Sequence, residues 1–345
     1  MEYEIREFKP REVPDDFWET YFEFTEANSR FQNPNDPLPD REAIIQRQKT
    51  EFPDFHYKRW LAWTPGGKVV GWAGFGATTQ GSDDYEQNKH IGQFNIAVHP
   101  EFYREGIGTS FLKIIVKEAQ ALNRTVLNVG TSQDSGREFL QKHGGKKTLE
   151  GAESRLDLTD VDWDLMRSWV EEGKKRAEGV TIESFIECPE EILDDFCEMY
   201  TQAANMAPHG EMEYTDKITG DTRRKVEKTA KDMGQTHFTM VSREKDGTIS
   251  GLTEIFYEPR EGYRIRQELT GVRLKYRGRG LGKWLKAQMI LHIKENYPEV
   301  EMITTGNADV NAPMLSINER MGFKRYRGGE MYKFQTEELA KKLWI

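Results

Sequence analysis

The sequence is poor in cysteine, with only Cys188 and Cys197 among 345 residues. Two cysteines are too few for a disulfide framework or a cysteine-rich zinc site. The seven histidines are scattered without an H-x-x-x-H or His–Cys pair, which argues against a metal site. The sequence also lacks the roughly 18 consecutive apolar residues that span a bilayer, and its first residues lack a signal-peptide core. We therefore expect a reduced, cytoplasmic protein without a metal centre.

Basic residues are also fewer than acidic ones. The chain has 49 Lys and Arg residues and 58 Asp and Glu residues, which gives a net charge of −9. This balance argues against general affinity for nucleic acid or for anionic membranes. Hydrophobic residues make up 37% of the chain and aromatic residues 11%, which is enough for ordinary cores. The length favours two domains.

The order of predicted helices and strands occurs twice along the chain. Residues 3–158 and residues 181–333 both follow the pattern β-α-α-β-β-β-α-β-α-β. Residues 162–177 between them predict a connecting helix. We infer an internal duplication, with one domain at 1–159, a connecting helix at 160–179 and a second domain at 180–345.

A glycine-rich turn in the second half, Tyr276-Arg277-Gly278-Arg279-Gly280-Leu281-Gly282, is the most informative motif. It lies between a predicted strand and an amphipathic helix. Glycine allows close approach of the backbone to a ligand, and a helix start offers unpaired N–H groups and a positive dipole end. Together these features predict a cradle for phosphate or pyrophosphate. A weaker copy, residues 103–109, occurs in the first half.

Two familiar phosphate motifs do not fit this turn. A P-loop requires Ser or Thr after its Gly-Lys pair, and Trp284 follows Gly282-Lys283 here. The dinucleotide fingerprint is G-x-G-x-x-G after a first strand, whereas this spacing is G-x-G-x-G and several strands precede it. The pattern that fits is R-x-x-G-x-G, with Arg277, Gly280 and Gly282.

This pattern resembles the acetyl-CoA-binding motif of the GCN5-related N-acetyltransferase (GNAT) family. The repeated element order, residues 307–315 and the closing Asn318-Glu319-Arg320-Met321-Gly322-Phe323 extend the resemblance over the whole chain. The chain thus resembles tandem members of the family such as mycothiol synthase. The resemblance implies an α/β (α+β) fold of two tandem GNAT domains, each a mixed, mostly antiparallel sheet flanked by helices.

The resemblance also implies the ligands. Acetyl-CoA would be the cofactor and a small-molecule amine the partner, with the protein a monomer or homodimer and with no nucleic acid or membrane involved. The backbone N–H groups of residues 278–283 would hold the pyrophosphate, and a main-chain N–H near Gly271 or Val272 would polarise the thioester carbonyl. The implied cofactor-binding residues of the second half are Val272, Leu274, Arg277, Gly278, Arg279, Gly280, Leu281, Gly282, Lys283 and Asn311.

The implied catalytic positions are Glu268 and Asn318. Glu268 lies on the strand before the turn and is the candidate base for the amine, although a solvated glutamate at a sheet edge explains it equally well. Asn318 occupies the position where the family commonly has a tyrosine that protonates the thiolate, and an amide cannot act as an acid near neutral pH. Thiolate release is left to water, to Asn318 as a hydrogen-bond donor, or to Tyr326 or Ser316. Asn318 is equally explained as a structural helix residue.

The first half departs further from the family pattern. Tyr103 stands at the Arg277 position, Leu140 at the tyrosine position, and the strand over 89–98 has no carboxylate. We expect this half to be catalytically degenerate. Gly106, Gly108 and Thr109 would either hold CoA phosphates or only form a tight turn that starts a helix.

The resulting expectation is an N-acetyltransferase that works by direct attack in its second half. Glu211 and Glu213, on a loop that overhangs the acceptor site in the family, are candidates to attract a cationic amine, or else form an acidic surface loop. Lys174-Lys175-Arg176 predicts a solvated helix face. Two alternatives stay open: a non-enzymatic acyl-CoA-binding or regulatory protein, and a mycothiol-synthase-like enzyme that acetylates a cysteinyl amine.

Overall fold

The computed structural model describes residues 1–52 and 54–345. The first half contains, in order, β1 (Glu4–Glu7), α1 (Phe17–Gln32), α2 (Arg41–Lys49), β2 (Phe55–Trp63), β3 (Val69–Thr78), α3 (Tyr85–Asn88), β4 (Ile91–Val98), α4 (Ile107–Ala121), β5 (Val126–Thr131), α5 (Asp134–Lys142) and β6 (Lys146–Asp157). Then follow α6 (Trp163–Arg176), β7 (Thr181–Phe185), α7 (Leu193–Asn205), α8 (Gly220–Asp232), β8 (Thr236–Arg243), β9 (Ile249–Tyr257), β10 (Arg264–Val272), α9 (Leu281–Asn296), β11 (Met302–Ala308), α10 (Ala312–Met321), β12 (Lys324–Gln335) and α11 (Thr336–Leu343). The predicted repeat of elements is confirmed, with the short α3 and the terminal α11 as additions.

The chain forms two compact units that do not follow its linear order. The first unit comprises Met1–Leu149, Gly210–Tyr214 and Gly329–Ile345, and the second comprises Glu150–His209 and Thr215–Gly328. These units differ from the segments 1–159 and 180–345 that the sequence suggested. Most of β6 pairs with β11 in the second unit, and the end of β12 pairs with β5 in the first. Each half of the chain thus supplies the last strand of the other half's sheet.

The sheet of the first unit has the strand order β1-β2-β3-β4-β5-β12. Only β4 and β5 run parallel to each other, and they pair at Ile91–Gln93 with Val126–Asn128. Aromatic residues of α1 pack on one face with Leu61 and Val69. On the other face the core of α4 packs with Trp60 and Ala62, and α11 closes it with Leu339 and Leu343. The alternation of residues 60–62 between faces is the period expected of a strand.

The sheet of the second unit has the strand order β6-β11-β10-β9-β8-β7. Here β10 and β11 are the parallel pair, and the other pairs are antiparallel. Helix α7 covers one face, where Phe196 and Met199 meet Val241 and Leu252. Helices α6 and α9 belong to the core of the other face. Both units are therefore mixed, mostly antiparallel sheets flanked by helices, as predicted.

Helix α6, the predicted connecting helix, packs closely on α9. The Asp162 carboxylate caps its start by accepting a hydrogen bond from the Leu165 N–H at 2.9 Å. A side chain at Gly173 would bring its Cβ within 2.5 Å of the Trp284 ring, so only glycine permits this approach. Trp169 is fully buried in the same core. The C-terminal end of α6 is thereby fixed beside the start of α9.

The two cysteines are free and buried. Burial raises the pKa of the Cys188 thiol to about 12 and that of Cys197 to about 11, so both stay protonated near neutral pH. Across residues 1–52 and 54–345, no group of three His, Cys, Asp or Glu side chains is placed to hold a metal ion. Within those same residues, every helix is too short or too polar to cross a bilayer.

We predict that Leu339→Ala destabilises the first unit, although residue 339 lies near the end of the chain. Leu339 is 2% exposed in the core shared with α4, and such truncations cost about 2–5 kcal/mol. Hydrogen exchange should show lost protection in α4 and β5 with little change in α9. Trp344, which is 92% exposed, offers the matched control as Trp344→Ala. Loss of protection confined to α9 and its sheet would contradict the strand assignment.

Candidate active site

The parallel strands β10 and β11 are hydrogen-bonded to each other over only the first part of their length. They pair only at Arg264–Arg266 with Met302–Thr304, although β10 runs on to Val272 and β11 to Ala308. The Arg273 N–H bonds to the Ser250 carbonyl of β9 at 2.9 Å. Because successive residues of a strand point to opposite edges, the Val272 N–H and C=O face the gap. The Val272 carbonyl accepts a bond there from the Arg277 Nε at 3.1 Å. Of the two predicted main-chain donors, Val272 is the one that faces the opening.

A β-bulge interrupts β10 beside this opening. Gln267 pairs with Ile255 and Thr270 with Thr253, so Glu268 and Leu269 together lie opposite Glu254. Such a bulge bends the strand and redirects a side chain. In the first unit, β4 pairs with β3 from Gly76–Gln93 to Gly71–Val98 without a register shift. The two units therefore differ at the strand that carries the candidate base.

Glu268 is accessible from the face that α7 covers. Its side chain is 40% exposed and forms an ion pair with Arg266. Burial raises the pKa of Tyr200 on α7, and the charges of Glu254 and Glu268 raise it further. Tyr200, which no sequence pattern marked, lies on α7, and α7 packs against β10, the strand that carries Glu268. An exposed carboxylate is suited to receive a polar substrate group, and the role of Glu268 as a base remains a prediction.

Glu254 has a different environment. It is 1% exposed and accepts bonds from Arg223 at 2.6 Å and from the Thr239 hydroxyl at 2.9 Å. Arg223 is in turn paired with Glu227 at 2.8 Å. Although burial opposes it, His237 and Arg223 lower the pKa of Glu254 to about 2. Glu254 is thus part of a buried hydrogen-bonded network opposite the bulge.

The glycine turn before α9 is open. Gly278 and Gly280 have φ of +80° and +83°, a left-handed conformation that glycine adopts without strain. No heavy atom lies within 4 Å of where a Gly278 Cβ would be, and at Gly282 the nearest is Val272 Cγ2 at 3.7 Å. The unpaired N–H groups at the start of α9 are therefore accessible. This geometry fits a phosphate or pyrophosphate group.

Arg176, at the end of α6, reaches this turn. Its Nη2 donates to the Gly278 carbonyl at 2.8 Å, and its Nη1 lies 3.7 Å from where a Gly280 Cβ would be. The basic run 174–176 predicted only a solvated helix face, and that prediction holds for Lys174, which pairs with Glu171 at 2.7 Å. No local pattern marked Arg176, because its position depends on how α6 packs on α9.

The predicted basic residues of the turn differ in their surroundings. Arg279 is paired with Glu244 at 2.8 Å and Lys283 with Glu172 at 2.7 Å. Arg277 is exposed and contacts the Val272 carbonyl and, at 3.4 Å, the sulfur of Met206.

The apolar residues predicted around the turn differ as well. Leu274 is 68% exposed, whereas Leu281 is 1% exposed and belongs to the core, so only its backbone faces the turn. Besides the backbone, Arg176 and Arg277 supply the positive charge nearest the turn.

The predicted residues of α10 lie beside β11. Asn318 is 2% exposed, and its Nδ2 donates to the Asn307 Oδ1 of β11 at 2.7 Å. Its Oδ1 is buried without a hydrogen-bond partner among the described residues. Asn311 caps α10 without a side-chain bond to the helix. Tyr326, an alternative proton donor, instead has the Arg155 guanidinium 3.4 Å from its ring centroid.

No sequence pattern marked Lys286, because it lies within the apolar stripe of α9. The side chain is 2% exposed, and its Nζ lies 5.3 Å from the ring centroid of Phe323. Burial lowers the pKa of Lys286 to about 7. Lysine is seldom buried without a charged partner, so periodicity alone could not identify it.

The glycine turn of the first unit has a similar backbone conformation to that of the second unit, but different side chains pack over it. Gly106 has φ of +85°, and Arg104 takes the left-handed conformation of Gly278 with φ of +70°. A Cβ on Gly108 would lie 3.2 Å from the Phe139 ring of α5, and the Thr109 hydroxyl lies 3.4 Å from His143 Nε2. The start of α4 is therefore more enclosed than the start of α9.

Glu211 and Glu213 lie in the part of the loop that belongs to the first unit. Glu211 is paired with Lys146, and Glu213 with Lys333 at 3.0 Å. Both carboxylates are thus engaged by lysines of that unit, and the expectation that they attract a substrate amine gains no support.

Comparison with known proteins agrees with this architecture. Residues 14–145 match the model of the acetyltransferase (GNAT) family. A search of curated proteins found no match. A tandem GNAT protein from the clavulanic acid biosynthesis pathway superposes with a TM-score of 0.76 at 19% identity, covering 97% of this chain and 99% of that one.

Two further solved structures are similar. A GCN5-related N-acetyltransferase from Sphaerobacter thermophilus gives a TM-score of 0.67 at 15% identity, with 97% and 96% of the two chains covered. A GCN5-related glucosamine N-acetyltransferase region of a fungal multi-domain GH3 β-N-acetylglucosaminidase gives 0.67 at 16% identity, covering 96% of this chain and 38% of that chain. The predicted resemblance is confirmed: residues 14–145 match the model of the acetyltransferase (GNAT) family, and the whole chain has the fold of tandem GNAT proteins.

Proposed function

We propose that the protein is an acetyl-CoA-dependent N-acetyltransferase and that its second unit carries the reaction. The observation that supports this most is the combination, within one unit, of the opening between β10 and β11, the bulge that presents Glu268, and the exposed glycine turn of α9. Bound acetyl-CoA would supply the thioester carbonyl that a primary amine attacks directly. The fit of the turn to a pyrophosphate and the family match both support this co-substrate.

Glu268 would prepare the amine. A primary amine has a pKa near 10 and is mostly protonated at neutral pH, so it must lose a proton before it attacks. Glu268 is the exposed carboxylate at the bulge of β10. It would accept the proton directly or through a water molecule. Glu254 is unsuited to this task because it is 1% exposed and its Oε1 accepts hydrogen bonds from both Arg223 and Thr239.

The main chain would stabilise charge on the carbonyl oxygen. The Val272 N–H faces the opening and belongs to a strand held by β9, so it needs no rearrangement during the reaction. A fixed donor of this kind, aimed at developing negative charge, contributes a large share of catalysis in acyl transfer. The phosphate end of the co-substrate would be held by the start of α9 with Arg176 and Arg277.

The first unit would support the second rather than share its chemistry. Its β4 has neither the bulge nor a carboxylate, and the start of α4 is covered by Phe139. The acceptor would be a small-molecule amine. Because one similar structure is described as a glucosamine N-acetyltransferase region, glucosamine belongs in any acceptor panel, along with a cysteinyl amine.

The division of roles can be tested with a matched pair of variants, Gly280→Glu and Gly106→Glu. Both place a side chain at a left-handed glycine before a helix, so the backbone strain is the same, but only Gly280→Glu brings a carboxylate to the proposed pyrophosphate site. We expect Gly280→Glu to lower kcat/KM for acetyl-CoA at least about a hundredfold, equivalent to about 2.7 kcal/mol. Gly106→Glu should retain most activity. Equal losses would refute the assignment, and wild-type protein that binds acetyl-CoA but acetylates no amine would favour a binding protein.

Glu268→Gln should slow acetyl transfer most at pH values well below the pKa of the acceptor amine. Removal of the base costs about a hundredfold or more where the amine must be deprotonated on the enzyme. The loss should shrink as the pH approaches the amine pKa, because free amine is then supplied by solution. Initial rates from pH 6 to pH 10 check this. Glu258→Gln, on the neighbouring loop, is the control, and an equal effect at every pH would exclude a base role.

Arg176→Met should weaken CoA binding about ten- to a hundredfold, since a charge-assisted contact contributes roughly 1.5–3 kcal/mol. Its control is Lys174→Met on the same helix, because Lys174 is paired with Glu171 instead. Titration calorimetry with CoA measures both. The loss should diminish at high salt, where the phosphate charge is screened. Unchanged affinity in Arg176→Met would remove this residue from the site.

A further inference from the structure

A cavity of about 260 Å³ lies in the first unit between the sheet and the helices α1 and α2. Trp72 of β3 and Ala97 of β4, which lie directly opposite each other, line it on the side of the sheet. Gln32 and Arg47 line it on the side of the helices, and both are exposed. The cavity therefore reaches the surface between α1 and α2. It is far larger than the space that one water molecule needs.

The equivalent position of the second unit is filled by its helix. The pair Trp72–Ala97 lies one residue before the end of the ladder between β3 and β4, and Leu252–Gly271 lies one residue before the end of the ladder between β9 and β10. A Cβ on Gly271 would lie 2.5 Å from the Cβ of Ala203, so α7 packs directly on the strand there. The cavity is therefore a local feature of the first unit and does not follow from the fold alone.

The side of α1 that lines the cavity changes from aromatic to polar along the helix. Its residues recur at the spacing of one helix face and are Tyr21, Thr25, Asn28 and Gln32. Asn28 is 8% exposed, and its Nδ2 donates to the Phe24 carbonyl at 2.9 Å, which fixes the orientation of the amide. The inward face of an amphipathic helix normally carries apolar residues. Core packing therefore does not explain the hydroxyl and amide groups on this face.

Two side chains that line the cavity have buried polar atoms without a hydrogen-bond partner among the described residues. These atoms are Nε1 of Trp72 and Oε1 of Gln48 on α2. The indole N–H is a donor and the amide oxygen is an acceptor. A buried polar group left unpaired costs about 1–3 kcal/mol, and such groups are rare in native proteins. A molecule that both donates and accepts hydrogen bonds would satisfy the two atoms.

The charge of the lining does not suit a cation. Of the described residues that line the cavity, Arg47 is the charged one and none is Asp or Glu. An ammonium group would therefore meet no opposite charge here, unlike at the exposed carboxylate of Glu268 in the second unit. Three aromatic side chains supply the apolar part of the lining, and they are Tyr21, Phe24 and Trp72. The chemistry of the cavity thus combines aromatic surface with uncharged hydrogen-bonding groups.

We propose that this cavity binds an uncharged, hydroxyl-rich molecule about the size of one sugar ring. Each hydroxyl group can both donate and accept, so such a molecule satisfies Trp72 Nε1 and Gln48 Oε1, while its C–H groups pack on the aromatic rings. The volume lies just below the range of about 300–1,000 Å³ that is usual for ligand pockets, which limits the ligand to a small one. The site is separate from the acetyl transfer proposed for the second unit and gives the first unit a ligand of its own.

The indole N–H of Trp72 provides a direct probe of the site. In the spectrum of the ¹⁵N-labelled protein, its signal is identified as the one that Trp72→Phe lacks. N-acetylglucosamine, an uncharged sugar, should shift this signal saturably, while the indole signal of Trp169 in the core of the second unit stays in place. Glucosamine, which carries an ammonium group near pH 6, should bind at the Trp72 signal at least about tenfold more weakly, because burial of an unpaired charge is costly. A Trp72 signal that neither sugar moves at high millimolar concentration would mean that water alone fills the cavity. That result, or equal affinity for the two sugars, would overturn the proposal.

Gln48→Met tests the acceptor in the cavity. Methionine has a similar length but offers the ligand no amide oxygen, so the affinity for N-acetylglucosamine should fall about three- to tenfold. Gln46→Met is the control, because Gln46 lies on the same helix but outside the cavity lining. Since Gln48 Oε1 has no partner in the free protein, Gln48→Met should not lower the melting temperature without the sugar. A lowered melting temperature with unchanged affinity would assign Gln48 a structural role and contradict the proposed site.

Discussion

The early parting of β10 and β11 is the constraint on which the rest of the second unit depends. A parallel pair would normally bond along its full length, yet here only Arg264–Arg266 and Met302–Thr304 are paired. Beyond them the edge of β10 would be left with unpaired donors and acceptors, which is costly unless something else pairs with it. The Arg277 side chain satisfies one such carbonyl, that of Val272. The remaining edge of β10 is available to pair with an extended ligand, as the proposed function requires.

The two units share a fold but differ around the opening between their parallel strands. Both have the parted parallel pair and the left-handed glycine before the helix. The second unit adds a bulge that needs support, and the buried Arg223–Glu254 pair lies directly behind it. A buried ion pair adds little stability over an apolar pair of the same size. Beside the bulge, the pair joins α8 to β9 and so helps to fix the backbone opposite Glu268.

Sequence patterns predicted the element order, the family and the turn at Arg277–Gly282, because these are local features of periodicity and glycine spacing. They could not predict that most of β6 pairs with β11 in the second unit and that the end of β12 pairs with β5 in the first. Strand partners are set by long-range packing, which local patterns do not show. The sequence patterns did not reveal the positions of Arg176 and Lys286. Arg176 reaches the glycine turn because α6 packs on α9. Lys286 lies within an apolar stripe of α9, which periodicity assigns to the core. Glu268 was predicted from its position on the strand before the turn, whereas the bulge at this residue was not visible in the sequence.

The buried amine of Lys286 makes the stability of the fold depend on pH. Its pKa drops from an ordinary 10.5 to about 7 in the folded protein. Below pH 7 the folded state carries a buried ammonium, a penalty of roughly 5 kcal/mol for a shift of this size. As the pH rises from 7 towards 10.5, the folded state is already neutral while the unfolded state is still charged, so stability increases. A chain selected for stability alone would place methionine or leucine here. The penalty is largest at and below neutral pH, where the buried amine is charged.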